Sequence, residues 1–492
     1  MTFPVAGLIR LEGPGADPLS RQVYRQMRAA VLDGRLPAGA RLPSSRELAT
    51  SLKVSRTTVV AALDQLTLEG FLEPRVGSGT FVAASAEALP SAPATVTNAS
   101  RAPVRLSARG VALASFVRRE SGRGPAFSPG VPDIRLFPHD LWGRLLRAGA
   151  RRPDPRHCGY GAYDGLPALK RAIAAHLEET RGVRTEPERV LVLSSAQAAL
   201  DLAARMLVDE GDPVAIENPA YAGALVAFRA ARARIEAIPV DGEGLVTAAL
   251  AGVAPRLVYV SPSHQYPLGM TMSLERRLAL LDFAERAGAF VIEDDYDSEF
   301  HYRGLPIPAL AGLGGSDRVI YLGTFAKTMM PAIRTAFLIL PPALVEPFAR
   351  AQRNTGQVPA LAVQAALASF LAEGHLRAHM RRVGQIYRGR RDHLLEALGR
   401  RCPHFVVDPV PDGGMQLAAR FQNEAVDDRA VAARLLARGI DCAALSAFYL
   451  DGDARSGLVL GFAMPNEAEI EAGVGVLEEE IGRVEEIGRA VR

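Results

Sequence analysis

Lysine is nearly missing from this chain. Of 57 basic side chains in 492 residues only three are lysines, Lys53, Lys170 and Lys327; the others are arginine. Arginine supplies charge but never a free amine, because the guanidinium stays protonated. A lysine kept against that background points to a need for the amine itself. Lys53 and Lys170 fall in polar helical surroundings where solvent is the expected neighbour. Lys327 follows the apolar run Val319-Ile320-Tyr321-Leu322-Gly323-Thr324-Phe325-Ala326 and precedes Thr328-Met329-Met330-Pro331. A desolvated lysine loses its proton and forms an imine with a carbonyl. A lone lysine at a strand end more often lays its stem on apolar surface and reaches for water, so the surroundings of Lys327 have to decide.

Cysteine is scarce too. Cys158, Cys402 and Cys442 are odd in number and unclustered, which excludes a disulfide framework and metal-ligand spacing and fits a reducing cytoplasm. No metal is expected. No run of about 18 apolar residues occurs, and Met1–Gly7 lacks a basic stretch followed by an apolar core, so neither a membrane span nor a secretion signal is expected. With 48% hydrophobic and 23% charged residues, large-scale disorder is excluded. The length accommodates two or more domains. The net charge of +3 is carried entirely by residues 1–85, with 10 basic and 7 acidic side chains, a mild pointer to nucleic acid.

Residues 17–85 read as three helices and a hairpin. The first helix spans about Leu19 to Leu32, with Leu19, Val23, Met27, Ala30 and Val31 on one face, and stops at Asp33-Gly34. Ser44-Ser45 caps a short helix from Arg46 to Leu52, with Glu47 in capping-box position. Lys53-Val54 turns the chain, and Ser55 caps a third helix from Arg56 to about Glu69. Two short helices across a tight turn make a helix-turn-helix, whose second helix turns its first residues, here Ser55, Arg56, Thr57 and Thr58, to base edges. Phe71–Val82 reads as two strands around Gly77-Ser78-Gly79, a wing. Residues 86–124, with Leu89-Pro90-Ser91-Ala92-Pro93-Ala94-Thr95, read as a linker.

From residue 125 onward, β-branched runs alternate with amphipathic helices. Strand candidates are Val190–Ser194, Val214–Glu217, Ile235–Val240, Leu257–Ser261, Phe290–Asp294, Val319–Leu322 and Ala336–Leu340, which gives an α/β body with a mostly parallel seven-stranded sheet. A smaller C-terminal α+β subdomain is expected from about residue 360.

Ligands in such sheets collect at the carboxyl ends of strands. Phe290–Ile292 runs into Glu293-Asp294-Asp295-Tyr296-Asp297, where alternation lets Asp294 and Tyr296 share a face. A carboxylate beside a phenol suits a pyridine cofactor, the acid holding the ring nitrogen protonated and the phenol bonding the ring hydroxyl; an acidic surface loop is the other reading. Val190–Ser194 leads into Ser195-Ala196-Gln197, whose helix N-terminus offers N–H groups to a phosphate, or is simply capped. Thr324 and Arg334 are further anion ligands. Tyr221, after Glu217-Asn218-Pro219-Ala220, is placed either to stack on a flat ring or to sit in the core. Together with Lys327 these residues outline a pyridoxal 5′-phosphate site.

The head resembles the winged-helix domain of GntR-type bacterial regulators in Leu36-Pro37-Ala38-Gly39, Arg41–Ala49, Ser55-Arg56-Thr57-Thr58-Val59 and Gly77-Ser78-Gly79-Thr80-Phe81-Val82. The resemblance implies operator contacts from Arg41, Ser45, Arg46, Arg56 and Thr57, with Arg75 and Gly79 at the wing. The body resembles class I aminotransferases of fold type I, and the whole chain the MocR branch of the GntR regulators. The motifs are Gly130-Val131-Pro132-Asp133 with Leu136-Phe137-Pro138 and Trp142, Tyr160-Gly161 with Gly165–Leu169, Pro262–Pro267, Glu293–Phe300 and Gly323–Lys327.

Departures from the aminotransferase pattern stand beside the matches. Tyr266 falls where those enzymes carry an asparagine for the ring hydroxyl, and Ala196 and Ala326 where relatives have a hydroxyl near the phosphate. Gly223 and Gly457–Phe462, with Val459, occupy places where substrate-binding arginines are expected; the nearest basic residue to the latter is Arg455. The resemblance implies a homodimeric regulator that binds operator DNA and senses an amine, an amino acid or pyridoxal phosphate itself. The alternative is an active aminotransferase with a DNA-binding appendage.

Overall fold

The computed structural model describes residues 2–12, 17–85, 105–115, 126–151, 154–159, 161, 163–304, 307–314, 317–452 and 454–490. Tyr160 and the linker stretch Leu89–Thr95 lie outside them. The chain divides into two compact units, Met1–Arg105 and Leu106–Arg492.

In the first unit, helices α1 (Leu19–Leu32), α2 (Ser45–Leu52) and α3 (Arg56–Leu68) are followed by strands β1 (Leu72–Arg75) and β2 (Gly79–Val82). The strands pair antiparallel from Leu72–Val82 to Arg75–Gly79. Val23, Met27, Ala30, Val31, Leu48, Val59, Leu63, Leu66, Leu72 and Val82 form one apolar core. Leu19 does not join it: it is 41% exposed, and Gln22 is buried in its stead. Gln22 can be buried because its amide is used at both ends, accepting from Glu12 N at 2.8 Å and donating to Asp17 O at 2.7 Å. The α2 cap is reciprocal, Glu47 N donating to Ser44 Oγ at 3.2 Å and Ser44 N to Glu47 Oε2 at 2.8 Å. Lys53, exposed and left-handed at φ 55°, ends α2. Ser55 Oγ accepts from Thr58 N at 3.1 Å to start α3.

The second unit is built on an eight-stranded sheet in the order β3-β10-β9-β8-β7-β4-β5-β6. The strands are β3 (Val190–Leu193), β4 (Pro213–Asn218), β5 (Arg234–Asp241), β6 (Gly244–Leu245), β7 (Leu257–Val260), β8 (Phe290–Asp295), β9 (Val319–Thr324) and β10 (Ala336–Ile339). Seven of them are the strands expected from the sequence. The eighth, β6, is a two-residue return antiparallel to β5, too short to read from alternation. Pairs among β5, β4, β7, β8 and β9 are parallel, and β10 runs against both β9 and β3.

The small subdomain carries a four-stranded sheet, β11 (Phe405–Val406), β12 (Gln416–Phe421), β13 (Ala443–Ala444) and β14 (Gly457–Gly461), ordered β11-β12-β14-β13. It does not begin near residue 360. The helix Leu361–Ala372 packs instead on His139–Arg151 and Pro167–Arg181, with Leu367 and Phe370 in the same core as Trp142 and Ile173. The small subdomain begins with the long helix His375–Arg401, and it also takes in the start of the body. Ala126 bridges Ile440, Phe127 bridges Gly461, and both are buried among Val383, Leu394, Leu417, Leu460 and Val474.

Lys170 is not solvated. It is 7% exposed, and its Nζ lies 2.6 Å from Asp164 Oδ2; the amphipathic face of its helix turns inward further than its polar neighbours suggest.

The capping box of α2 yields a stability expectation. Ser44→Ala removes the acceptor for Glu47 N and costs the head about 1 kcal/mol, read as a lower denaturant midpoint of the head's own transition, with the body's transition unmoved.

Candidate functional site

Three strand ends define the site. Leu193, Ala336 and Thr324 lie side by side across β3, β10 and β9. Because β10 runs opposite to the other two, Arg334 enters at the edge where Ser195 and Ala326 leave. The sheet therefore gathers Ser195, Thr324, Lys327 and Arg334 at one end. Ser195 caps the helix Ala196–Leu207, its Oγ accepting from Ala198 N at 3.1 Å. That use leaves the backbone N–H groups of Ala196 and Gln197 as the open donors of the first turn. Gln197 spends its side-chain amide on Gly223 O at 2.9 Å. Thr324 Oγ1 accepts from Ala326 N at 3.2 Å. Arg334 is exposed and left-handed at φ 50°.

Lys327 donates from Nζ to Gly130 O at 2.7 Å. The segment carrying Gly130 is pinned from the small subdomain. Asp133 N donates to Tyr387 Oη at 2.8 Å, and the Asp133 carboxylate pairs with Arg135 at 2.7 Å and Arg390 at 3.0 Å.

At the end of β8, alternation separates two neighbouring acids. Asp295 turns to a cluster that satisfies it: Arg181 Nε at 2.7 Å, Tyr321 Oη at 2.6 Å and Ser298 Oγ at 2.8 Å. Burial alone would raise its pKa, but the Arg181 guanidinium and these donors hold it below the usual carboxylate range. Asp294 turns the other way and is only half satisfied. Its Oδ2 accepts from Tyr259 Oη at 2.5 Å, while its buried Oδ1 has no partner. Burial pushes this carboxyl up to about 7, against the lowering effects of the Tyr259 hydrogen bond and the Lys327 charge.

Tyr296, just past β8, is buried, and its Oη accepts from Gln416 Nε2 at 3.1 Å. Tyr266 meets Tyr221, Tyr296 and Phe448 edge-on, at centroid distances of 5.6, 5.9 and 5.5 Å. A Cβ on Gly223 would overlap the Tyr221 ring; an arginine there is incompatible with that ring position.

The sequence reading missed Tyr259, whose phenol sits in an apolar strand run that reads as ordinary core. It also missed Gln416, which arrives from β12, far along the chain. A polar residue opening an apolar strand was the available signal for the second. Val459 is fully buried between Ala418 and Ala443, and Arg455 is exposed. Arg181, Arg277, Arg390 and Arg391 are the arginines buried among the described residues, and each is bonded elsewhere, to carboxylates or backbone carbonyls.

In the head, the DNA-facing candidates form two groups. Around the start of α3, Arg56 Nε lies 3.3 Å from Ser45 Oγ, and Ser55 Oγ lies 3.2 and 2.7 Å from the hydroxyls of Thr57 and Thr58; Arg46 is exposed on α2. At the wing, the Arg41 guanidinium passes 3.3 Å from where a Cβ on Gly79 would stand, and Arg75 lies over the Phe81 ring at 4.7 Å.

Residues 145–477 match the aminotransferase class I and II family, and residues 19–82 the gntR family of bacterial regulatory proteins. A probable rhizopine catabolism regulatory protein, MocR, of Rhizobium meliloti is 41% identical over 464 residues, 94% of this chain and 93% of that protein. The chain belongs to the MocR-type branch of the GntR regulators. The pyridoxine biosynthesis transcriptional regulator PdxR of Corynebacterium glutamicum is 34% identical across 91% of this chain and 92% of its own. The multiple substrate aminotransferase of Thermococcus profundus superposes with a TM-score of 0.69 at 27% identity, over 78% of this chain and 98% of that one. The cofactor of a MocR-type body is pyridoxal 5′-phosphate, and the donor set fits it. The orphaned Oδ1 of Asp294 suits a protonated ring nitrogen, and the amine of Lys327 opens at the same sheet edge. No helix among the described residues is long and apolar enough to cross a membrane.

The two acids predict opposite substitution effects. Asp294 holds its proton to about 7 in the folded chain, whereas an unfolded aspartate releases it near ~3.9. Across that window the folded state binds the extra proton, so stability falls as pH rises. In cofactor-free protein Asp294→Asn removes this loss, and urea midpoints at pH 5 and pH 8 draw together. Asp295→Asn instead strands Arg181 and costs on the order of 3–5 kcal/mol at either pH.

Proposed function

We propose that this chain is a DNA-binding transcriptional regulator whose body holds pyridoxal 5′-phosphate through the amine of Lys327 and responds to a small amine. The unpaired, buried Oδ1 of Asp294 carries the reading, since a carboxyl held near neutrality in an apolar site needs a partner that repays its ionisation. Asp294 would keep the ring nitrogen protonated, with Tyr259 holding the carboxylate in place. Tyr296 would give its hydrogen to the ring oxygen, a bond for which Tyr266, in the place of the enzymes' asparagine, offers no amide. Tyr221 would flank the ring. Ser195, the N–H groups of Ala196 and Gln197, Thr324 and Arg334 would hold the phosphate. When bound, the group supplies an electrophilic carbon and an electron sink.

A regulator fits the rest of the site better than a transaminase. A bound α-carboxylate in a water-poor pocket calls for a bidentate cation, and the buried arginines of the body are committed elsewhere. The effector is therefore an amine without that group, or the cofactor itself. In the head, the start of α3 would read bases while Arg41, Arg46 and Arg75 set affinity through phosphates. Fold type I bodies are typically dimers; pairing would tether two heads and raise their effective concentration at a two-half-site operator.

Borohydride treatment of the holo-protein should trap the cofactor on Lys327, located by peptide mapping, and Lys327→Ala should abolish the adduct. An adduct mapping to Lys53 or Lys170 refutes the assignment. In single turnover, alanine, glutamate and aspartate should convert the bound cofactor far more slowly than the ~1–10³ s⁻¹ of ordinary enzymes; rapid, saturable conversion by glutamate makes the body an aminotransferase.

A further inference from the structure

Gln416 opens β12 and is 2% exposed. Its Nε2 is used on Tyr296, and its Oε1 is buried without a hydrogen-bond partner. That oxygen lies 3.7 Å, and Lys327 Nζ 3.1 Å, from the point where a Cβ on Gly130 would stand. Gly130 has no Cβ, and its φ of +67° disfavours any other residue. The reactive amine and the unsatisfied acceptor thus converge beside Gly130, with no side chain of that residue between them. A buried acceptor left unpaired is costly, and a ligand that supplies its hydrogen recovers that cost.

We propose that Gln416 reads the effector, its Oε1 accepting a hydrogen from a hydroxyl carried next to the effector's amine, so that the site selects 2-amino alcohols over 2-amino acids. This rests on the cofactor reading above. A Tyr296 that gives its hydrogen to the cofactor's ring oxygen has only lone pairs left for Gln416. Gln416 must then turn Nε2 to the phenol and Oε1 to the side of Gly130 and the Lys327 amine. A carboxylate in the same position sets acceptor against acceptor and brings a charge for which no buried arginine among the described residues is uncommitted. A hydroxyl completes the pair.

The test is a titration of the full-length holo-protein, followed by the absorbance of its bound cofactor. The probes are 2-aminoethanol, 2-methoxyethylamine, which has similar basicity but no hydrogen to give, and alanine. The expected half-effect concentration for 2-aminoethanol is about ten-fold below the other two, the discrimination one hydrogen bond confers. Gln416→Leu and Gln416→Met should bring 2-aminoethanol level with 2-methoxyethylamine while retaining the borohydride adduct on Lys327. If alanine matches 2-aminoethanol on the native protein, or if both variants keep the native discrimination, the proposal fails even though the Lys327 adduct stands. Should the variants not fold, the three-ligand comparison on the native protein decides alone. An absent Lys327 adduct in the native protein overturns the cofactor reading instead.

Discussion

Four carboxylates are buried within five residues at the end of one strand: Glu293, Asp294, Asp295 and Asp297. So many negative charges cannot coexist in a low-dielectric interior unless each is answered separately. Glu293 accepts the backbone N–H groups of Leu310 and Ala311 at 2.6 and 2.8 Å. Asp295 is closed by Arg181, and Asp297 lies 2.8 Å from His264 Nδ1. Asp294 alone of the four faces the gathered strand ends with Tyr259 as its one partner. Answering these acids brings distant segments to β8: Arg181 crosses to it from its helix, and the turn at Leu310 folds back to it.

Much of this was legible in the sequence, because it is written in short-range rules. Ser44 with Glu47, Ser55 at its helix start and the Gly-Ser-Gly wing are local chemistry, and the structure realises them within a residue. The seven long strands declare themselves by apolar runs, and β8 by the sudden acidity of its end. What stayed hidden depends on contacts between distant segments. Lys170 reads as solvated until Asp164 and the inner face of its helix are seen together. Tyr259 and Gln416 look like core until their polar atoms are traced. The small subdomain is not a C-terminal appendage, since Ala126 and Phe127 enter its sheet from the other end of the body, a pairing no window of sequence contains.

The missing arginine is more than a deletion. Val459 packs with Ala418, Ala443 and Leu445 in an apolar cluster, and Gly223 is roofed by Tyr221. Placing a guanidinium at either point would require both a partner and space that the surrounding packing has taken. Aromatic edges take up this part of the site instead, with Tyr266 meeting Tyr221, Tyr296 and Phe448.

The entry of Ala126 and Phe127 into the small sheet bears on how a bound ligand is felt elsewhere. Upstream, the helix Ala108–Ser115 lies against the helix Ala222–Ala230 of the large part of the body. Downstream, Phe127 is hydrogen-bonded across to Gly461, and Gly130 receives the Lys327 amine. The chain leading back toward the head is thus moored twice, once to each part. Any change in spacing between the two parts is therefore a pull on one rope tied to both banks, with the helix Ala108–Ser115 on one side and Phe127 and Gly130 on the other.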